Sequence, residues 1–365
     1  MVEEKILPKR LVSLDAFRGF TIIAMLMVNN PGYDSAFPDQ FRHAPWGKMV
    51  TFCDMIFPWF LFIVGVAIPY SAASFHKKNP SLLNYFVKAF RRMLLLIFFG
   101  ILIDCSISKR ISVGMNVLQL IGLAYFCGAV IYELPKMWRL YIAGLFLVLH
   151  WAIIKFVPIP DVGAGFFEEE KNIIHYINQQ LSPFHLAGII SVIPTTALVL
   201  IGTYFGDLFR NENVKLLKKL QTLLLSGVIL IIIGYLWHLN LPMSKHLWTS
   251  SYILFSAGTG CIVLGIFLFI IDFIGIQKWA FPFVIYGMNA ITAYFFSIMV
   301  RVHTVQEWTT KTATGEPISL WKAMLNFWTN IAGINFGSYL FTFSYIFFWW
   351  LVLLWMYKKK LFLRV

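Results

Sequence analysis

Charge is scarce in this chain. Asp, Glu, Lys and Arg together make up 13% of 365 residues, and the acids are the scarcer sign, with 17 Asp and Glu against 30 Lys and Arg. A soluble domain carries about one-quarter charged residues, so a conventional water-soluble fold is excluded. Cysteine is rare as well: Cys53, Cys105, Cys127 and Cys261 show neither metal-ligand nor redox spacing. A Cys53–Cys105 bridge is one reading, since both fall near the same expected face. Four small buried hydrophobes is the preferred one. No glycine-rich phosphate loop is present either, because Val162-Gly163-Ala164-Gly165 lacks a strand–turn–helix context. No bound metal is expected.

What the chain has in abundance is apolar length. Hydrophobic residues reach 59%, with 36 Phe, 15 Tyr and 13 Trp. Runs long enough to cross a bilayer recur throughout, which predicts an all-α integral membrane protein. We read a polytopic bundle of about ten transmembrane helices, at roughly 12–30, 50–74, 86–105, 114–133, 138–157, 187–209, 219–238, 250–273, 280–302 and 337–357. The whole of 1–365 reads as one transmembrane domain, with long outer loops at about 158–186 and 303–336. The second of these loops holds an amphipathic stretch, Ile318 to Trp328, suited to a membrane interface. The first span reads as retained rather than as a cleaved signal, because Asp15 and Arg18 interrupt its start.

With the N-terminus inside, twenty of the thirty basic residues fall on the cytoplasmic side, from Lys5, Lys9 and Arg10 through Lys77-Lys78, Arg91-Arg92 and Lys358-Lys359-Lys360 to Arg364. The positive-inside bias therefore places both termini in the cytoplasm and His43 outside. The same clustering answers the net charge of +13. Such groups set topology and meet anionic lipid headgroups, so the bilayer, not nucleic acid, is the expected partner.

One polar centre is not demanded by packing. Phe41-Arg42-His43-Ala44-Pro45-Trp46-Gly47 lies between two apolar segments, just after Val28-Asn29-Asn30-Pro31-Gly32. Imidazole titrates near neutrality, so His43 is suited to take or give a proton at working pH. Asn29 either ends the first helix or donates its amide to a developing oxyanion. Asp54 either caps the second helix or holds the His43 tautomer and binds an amine. Trp46 belongs to the same candidate substrate site. Asp15 and Arg18 share a helix face, so Arg18 is either an ion-pair anchor or a ligand for phosphates. Asn289 is either helix–helix glue or part of a tunnel wall.

These residues carry a resemblance. Arg10-Leu11-Val12-Ser13-Leu14-Asp15-Ala16-Phe17-Arg18-Gly19, Met27-Val28-Asn29-Asn30, Phe41 to Trp46 and Cys53-Asp54-Met55-Ile56-Phe57-Pro58-Trp59 form a dense block within about residues 10–75. Val117-Leu118-Gln119, Leu247-Trp248-Thr249-Ser250-Ser251-Tyr252 and Gly287-Met288-Asn289-Ala290 extend it. The chain resembles the heparan-α-glucosaminide N-acetyltransferase family, transmembrane acyltransferases with bacterial members. The resemblance implies transfer of acetyl from cytosolic acetyl-CoA to the amine of a glucosamine-type sugar on the far side of a bacterial inner membrane. It implies His43 and Asn29 as catalytic residues and suggests a homodimer. Donor phosphates would then meet Arg18, Lys78, Arg91 and Arg92. One departure is Leu120, where the family usually carries arginine after Val-Leu-Gln. A transporter of amino sugars or their N-acetyl forms, with His43 and Asp54 coupled to protons, is the competing class.

Overall fold

A computed structural model of the chain describes residues 11–78, 81–312 and 314–363; Lys5, Lys9, Arg10 and Arg364 of the basic set lie outside them. Backbone groups in lipid have no water to bond, so apolar stretches close their own hydrogen bonds as helices. In chain order these are α1 (Val12–Asn29), α2 (Phe52–His76), α3 (Leu82–Ser108), α4 (Val117–Tyr132), α5 (Lys136–Phe156), a short α6 (Ile173–Leu181), α7 (Val192–Arg210) and α8 (Leu216–His238). There follow α9 (Ser250–Phe267), α10 (Phe281–Met288), α11 (Ala290–Val300) and α12 (Leu320–Lys358), with a small antiparallel hairpin of β1 (Thr309–Lys311) and β2 (Pro317–Ser319) before α12.

The all-α polytopic expectation holds, but the count of ten spans differs. Among the described residues, seven helices are long and apolar enough to cross a bilayer, or eight if the pair bent by 70° at Asn289 forms one span. The other two expected windows are occupied by α3 and α4. Helix α3 carries Lys88, Arg91, Arg92 and Asp104 among its apolar residues. Helix α4 has only 16 residues, a rise of about 24 Å against a hydrocarbon core of about 30 Å. Apolar runs in the sequence do not reveal which of them are polar-studded or short for a reason of packing.

Helix α2 is the centre of the bundle, with 89% of its apolar span buried, whereas α8 buries 22% and faces outward. Glycines let the central helices meet backbone to backbone. A Cβ on Gly65 of α2 would lie 2.1 Å from the Val199 carbonyl oxygen of α7, and one on Gly19 of α1 would lie 1.7 Å from the Phe283 oxygen of α10. Gly333, with φ 76° and ψ 168°, breaks α12 into two arms, so the expected interfacial stretch becomes a separate helix from Leu320.

Successive helices alternate in direction, so the bundle has two unlike ends. One holds Arg18, Lys77, Lys78, Lys88, Arg91 and Arg92. The other holds the 30–51 connection, α6, the 239–249 loop and the hairpin. All four cysteines are free.

Candidate active site

At the end opposite the basic cluster, α2 begins with Thr51 as its cap, and Asp54 is the third residue of the first turn. The N-cap role considered for Asp54 therefore belongs to Thr51, whose backbone N–H donates back to Asp54 Oδ2 at 3.1 Å. The Ala44 N–H donates to the same oxygen at 3.1 Å. The Thr51 hydroxyl donates to the Arg42 carbonyl at 2.6 Å, so the helix start pins the histidine loop at residues 42 and 44. A helix N-terminus favours a carboxylate at this position.

The other oxygen of Asp54 serves His43. Oδ1 lies 2.7 Å from His43 Nδ1, with the Asp54 side chain 2% exposed and the His43 side chain 55% exposed. An ionised carboxylate only accepts, so Nδ1 carries the proton, and in the neutral ring Nε2 holds the lone pair. Lys245, from the loop before α9, brings its Nζ to 3.0 Å from His43 Nδ1 and 3.4 Å from Nε2. The same Nζ lies 3.7 Å from Asp54 Oδ1. Burial holds the Lys245 ammonium below the usual lysine range, opposed by the Asp54 charge. Cys53 Sγ is 3.3 Å from Nδ1. Trp46 closes the side of this group, donating from Nε1 to the Phe167 carbonyl at 3.0 Å and lying over His246.

Two cavities lie apart from this group. A cavity of about 560 Å³ is lined by Arg18, Lys88, Arg91 and Arg92 together with Phe60, Val64 and Tyr125, and no acidic side chain lines it among the described residues. The Arg92 guanidinium stacks 4.3 Å above the Tyr125 ring, and its buried Nε has no protein acceptor. Arg18, which lines this cavity, also pairs with Asp15 at 3.4 Å. A second cavity of about 440 Å³ is lined by Asn29, Asp104, Gln119 and Arg301, and it shares Val117, Leu118 and Tyr294 with the first. These three residues stand between the two cavities, which lie in line from the basic cluster towards the end of α1. Gln119, 1% exposed, donates to Asp104 at 2.6 Å while its Oε1 has no partner.

A family model described as heparan-alpha-glucosaminide N-acetyltransferase, catalytic, matches residues 10–240. The chain belongs to this family. It is 25% identical to the human heparan-alpha-glucosaminide N-acetyltransferase over 357 aligned residues, covering 79% of this chain and 52% of the human protein. It is 23% identical to the mouse protein of the same name over 361, covering 78% and 53%. The chain thus spans about half the length of the curated relatives it matches.

Against this family frame, His43, Asp54 and Trp46 come together as read from the sequence. Asn29 is placed elsewhere: it lines the second cavity, whose wall does not include His43. Arg18, Arg91 and Arg92 converge on the first cavity. Lys78, in the turn after α2, does not line it, and Lys88 occupies that wall instead. Asn289, 1% exposed, sits at the bend between α10 and α11, with its neighbours Met288 and Ala290 lining the first cavity. Lys245 and Arg301 escaped the sequence reading because each reaches its site from a remote helix end. The one local sign was that Lys245 stands two positions before the Leu247–Tyr252 motif.

Proposed function

We propose that the protein is a transmembrane N-acetyltransferase that moves acetyl from acetyl-CoA to the amine of a glucosamine-type sugar. The observation that carries this reading is the His43–Asp54 pair, with a buried carboxylate 2.7 Å from Nδ1 and a histidine side chain that is 55% exposed. The named relatives are N-acetyltransferases, and the two adjacent cavities offer room for a long, thin donor once the wall between them yields. In this scheme the phosphates of CoA meet Arg18, Lys88, Arg91 and Arg92, and the thioester reaches past Val117, Leu118 and Tyr294 towards Asn29. The neutral amine attacks the thioester carbonyl, and His43 Nε2 takes the amine proton as the tetrahedral intermediate forms. The intermediate then expels the CoA thiolate, which receives that proton, leaving an amide on the sugar.

Sidedness belongs to the same proposal. With the basic end in the cytoplasm, CoA is drawn from the cytosol and the sugar meets His43 on the far side of a bacterial inner membrane. In a cysteine-free background Lys78→Cys labels with an impermeant maleimide only from the cytoplasmic side, and Lys171→Cys only from outside. The reverse pattern removes the transmembrane element of the scheme.

The reaction itself is tested by adding acetyl-CoA and glucosamine to purified protein and following free thiol and N-acetylglucosamine. Sugar uptake into vesicles without thiol release would assign the transporter class instead. The donor site makes its own prediction. Arg91→Gln with Arg92→Gln raises the KM for acetyl-CoA by about 10²–10⁴-fold with a smaller effect on kcat, because charge-assisted contacts contribute about 1.5–3 kcal/mol each. Dephospho-CoA and CoA competition against the same variant measures it, and an unchanged KM places the donor elsewhere.

A further inference from the structure

Asp54 creates a difficulty for a histidine that has to act as a base. A carboxylate 2.7 Å from Nδ1 orients the ring, but it also stabilises the imidazolium. A base that holds its proton too firmly does not turn over. The structure supplies a counter-charge from 202 positions away in the chain.

We propose that Lys245 is a positioning residue for acetyl transfer, its ammonium set against the His43–Asp54 pair so that the imidazole stays neutral with Nε2 open. This rests on the reading of His43 as the base. Nδ1 has one in-plane bonding direction, and Asp54 Oδ1 occupies it. The Lys245 Nζ, 3.0 Å from Nδ1 and 3.4 Å from Nε2, therefore acts on the ring as a charge rather than as a second donor to the same nitrogen. A cation there disfavours a second cation on the ring, while its attraction to Asp54 Oδ1 at 3.7 Å keeps it in place. Burial disfavours the ammonium, and the neighbouring Asp54 charge opposes that effect.

The loop carrying Lys245 is built to fix that ammonium. Thr249, Ser250 and Ser251 are fully buried. The Thr249 hydroxyl accepts from the Ser244 N–H at 3.0 Å, and the Thr249 N–H donates to the Ser244 carbonyl at 3.2 Å. Ser251 donates to the Leu241 carbonyl at 2.7 Å, and His150 from α5 lies 2.9 Å from the Leu247 carbonyl. Trp248 adopts a left-handed φ of 52°, a conformation that a bulky residue tolerates only when its surroundings impose it. The Tyr252 hydroxyl donates to the Asp54 carbonyl, tying α9 to the same turn of α2. Most of the other charged or titratable groups facing this point have partners of their own. Arg42 pairs with Asp39, Glu168 pairs with Lys171, and His246 lies against Trp46. Lys48 lines the same small pocket as Asp54 and Lys245, while Cys53, Asp54 and Lys245 are the groups within contact of the ring.

The test compares Lys245→Met, which keeps the length and loses the charge, with Lys245→Arg, which keeps the charge. The first readout is the pH profile of kcat/KM for acetyl transfer. Its acidic limb is expected to move up by about one to two pH units in Lys245→Met and to stay near wild type in Lys245→Arg. The second readout needs no activity: the pH dependence of His43 modification by diethyl pyrocarbonate, which reacts with neutral imidazole, measured on the His43 peptide by mass spectrometry. Its midpoint is expected to move up by the same amount. A Lys245→Met midpoint that is unchanged or lower overturns the proposal, as does an equal shift in Lys245→Arg. Should Lys245→Met not elute as assembled protein, Lys245→Gln carries the same two expectations. Wild-type protein that transfers no acetyl would overturn the acetyltransferase reading, while the modification profile would still decide the charge effect.

Discussion

Replacing His43 with alanine lowers acetyl transfer by about 10²–10⁴-fold, the usual worth of a positioned general base. The fold survives the change. The His43 side chain is 55% exposed, and Asp54 keeps the N–H groups of Ala44 and Thr51 when the imidazole is removed. Donor affinity survives as well, because the arginines of the basic cavity lie at the other end of the bundle. The measurement is thiol release at saturating acetyl-CoA and sugar, beside donor binding and thermal unfolding of the same preparation. Near-normal turnover would move the proton transfer to another group. Loss of donor binding together with turnover would make His43 a structural residue.

Gly287→Val prevents assembly of the bundle. A Cβ at Gly287 would lie 2.0 Å from the Asp15 carbonyl oxygen and 3.1 Å from the Gly19 nitrogen. The obstruction is backbone on α1, not the end of a flexible side chain, so relief requires the whole helix to move. Overpacking of this kind costs about 1–3 kcal/mol and more where backbone is displaced. Here it also acts on the wall of the basic cavity, which Gly287 lines. The expected result is little monodisperse protein in detergent and a large fall in unfolding temperature. Gly144→Val is the control, because nothing lies within 4 Å of a Cβ there; it retains wild-type behaviour. Equal stability of the two variants would refute the close α1–α10 contact.

How much of the site was legible in the sequence depends on how local each contact is. His43 and Asp54 are 11 positions apart. They meet because one helix start gathers a short loop, so a motif read in one dimension already contained the pair. The role of Asp54 was only half legible. Its spacing from Thr51 marks a helix start, but which of the two is the cap depends on where the backbone turns. Arg18, Arg91 and Arg92 were legible as a group because basic residues cluster at one end of the spans. Lys78 was grouped with them on the same ground, yet the turn after α2 carries it away from the cavity wall.

The sequence by itself determined the helical membrane class, since hydrophobic length is a property of the chain in one dimension. It also determined the family, through motifs whose residues are neighbours. Only the tertiary structure decided that Asn29 faces a cavity with Gln119 and Arg301, that the bend at Asn289 divides one apolar run into two helices, and that Lys245 stands beside His43. Each of these depends on which helices pack through their glycines and at what height. That choice is made by close contacts between segments hundreds of residues apart, and no local pattern records it.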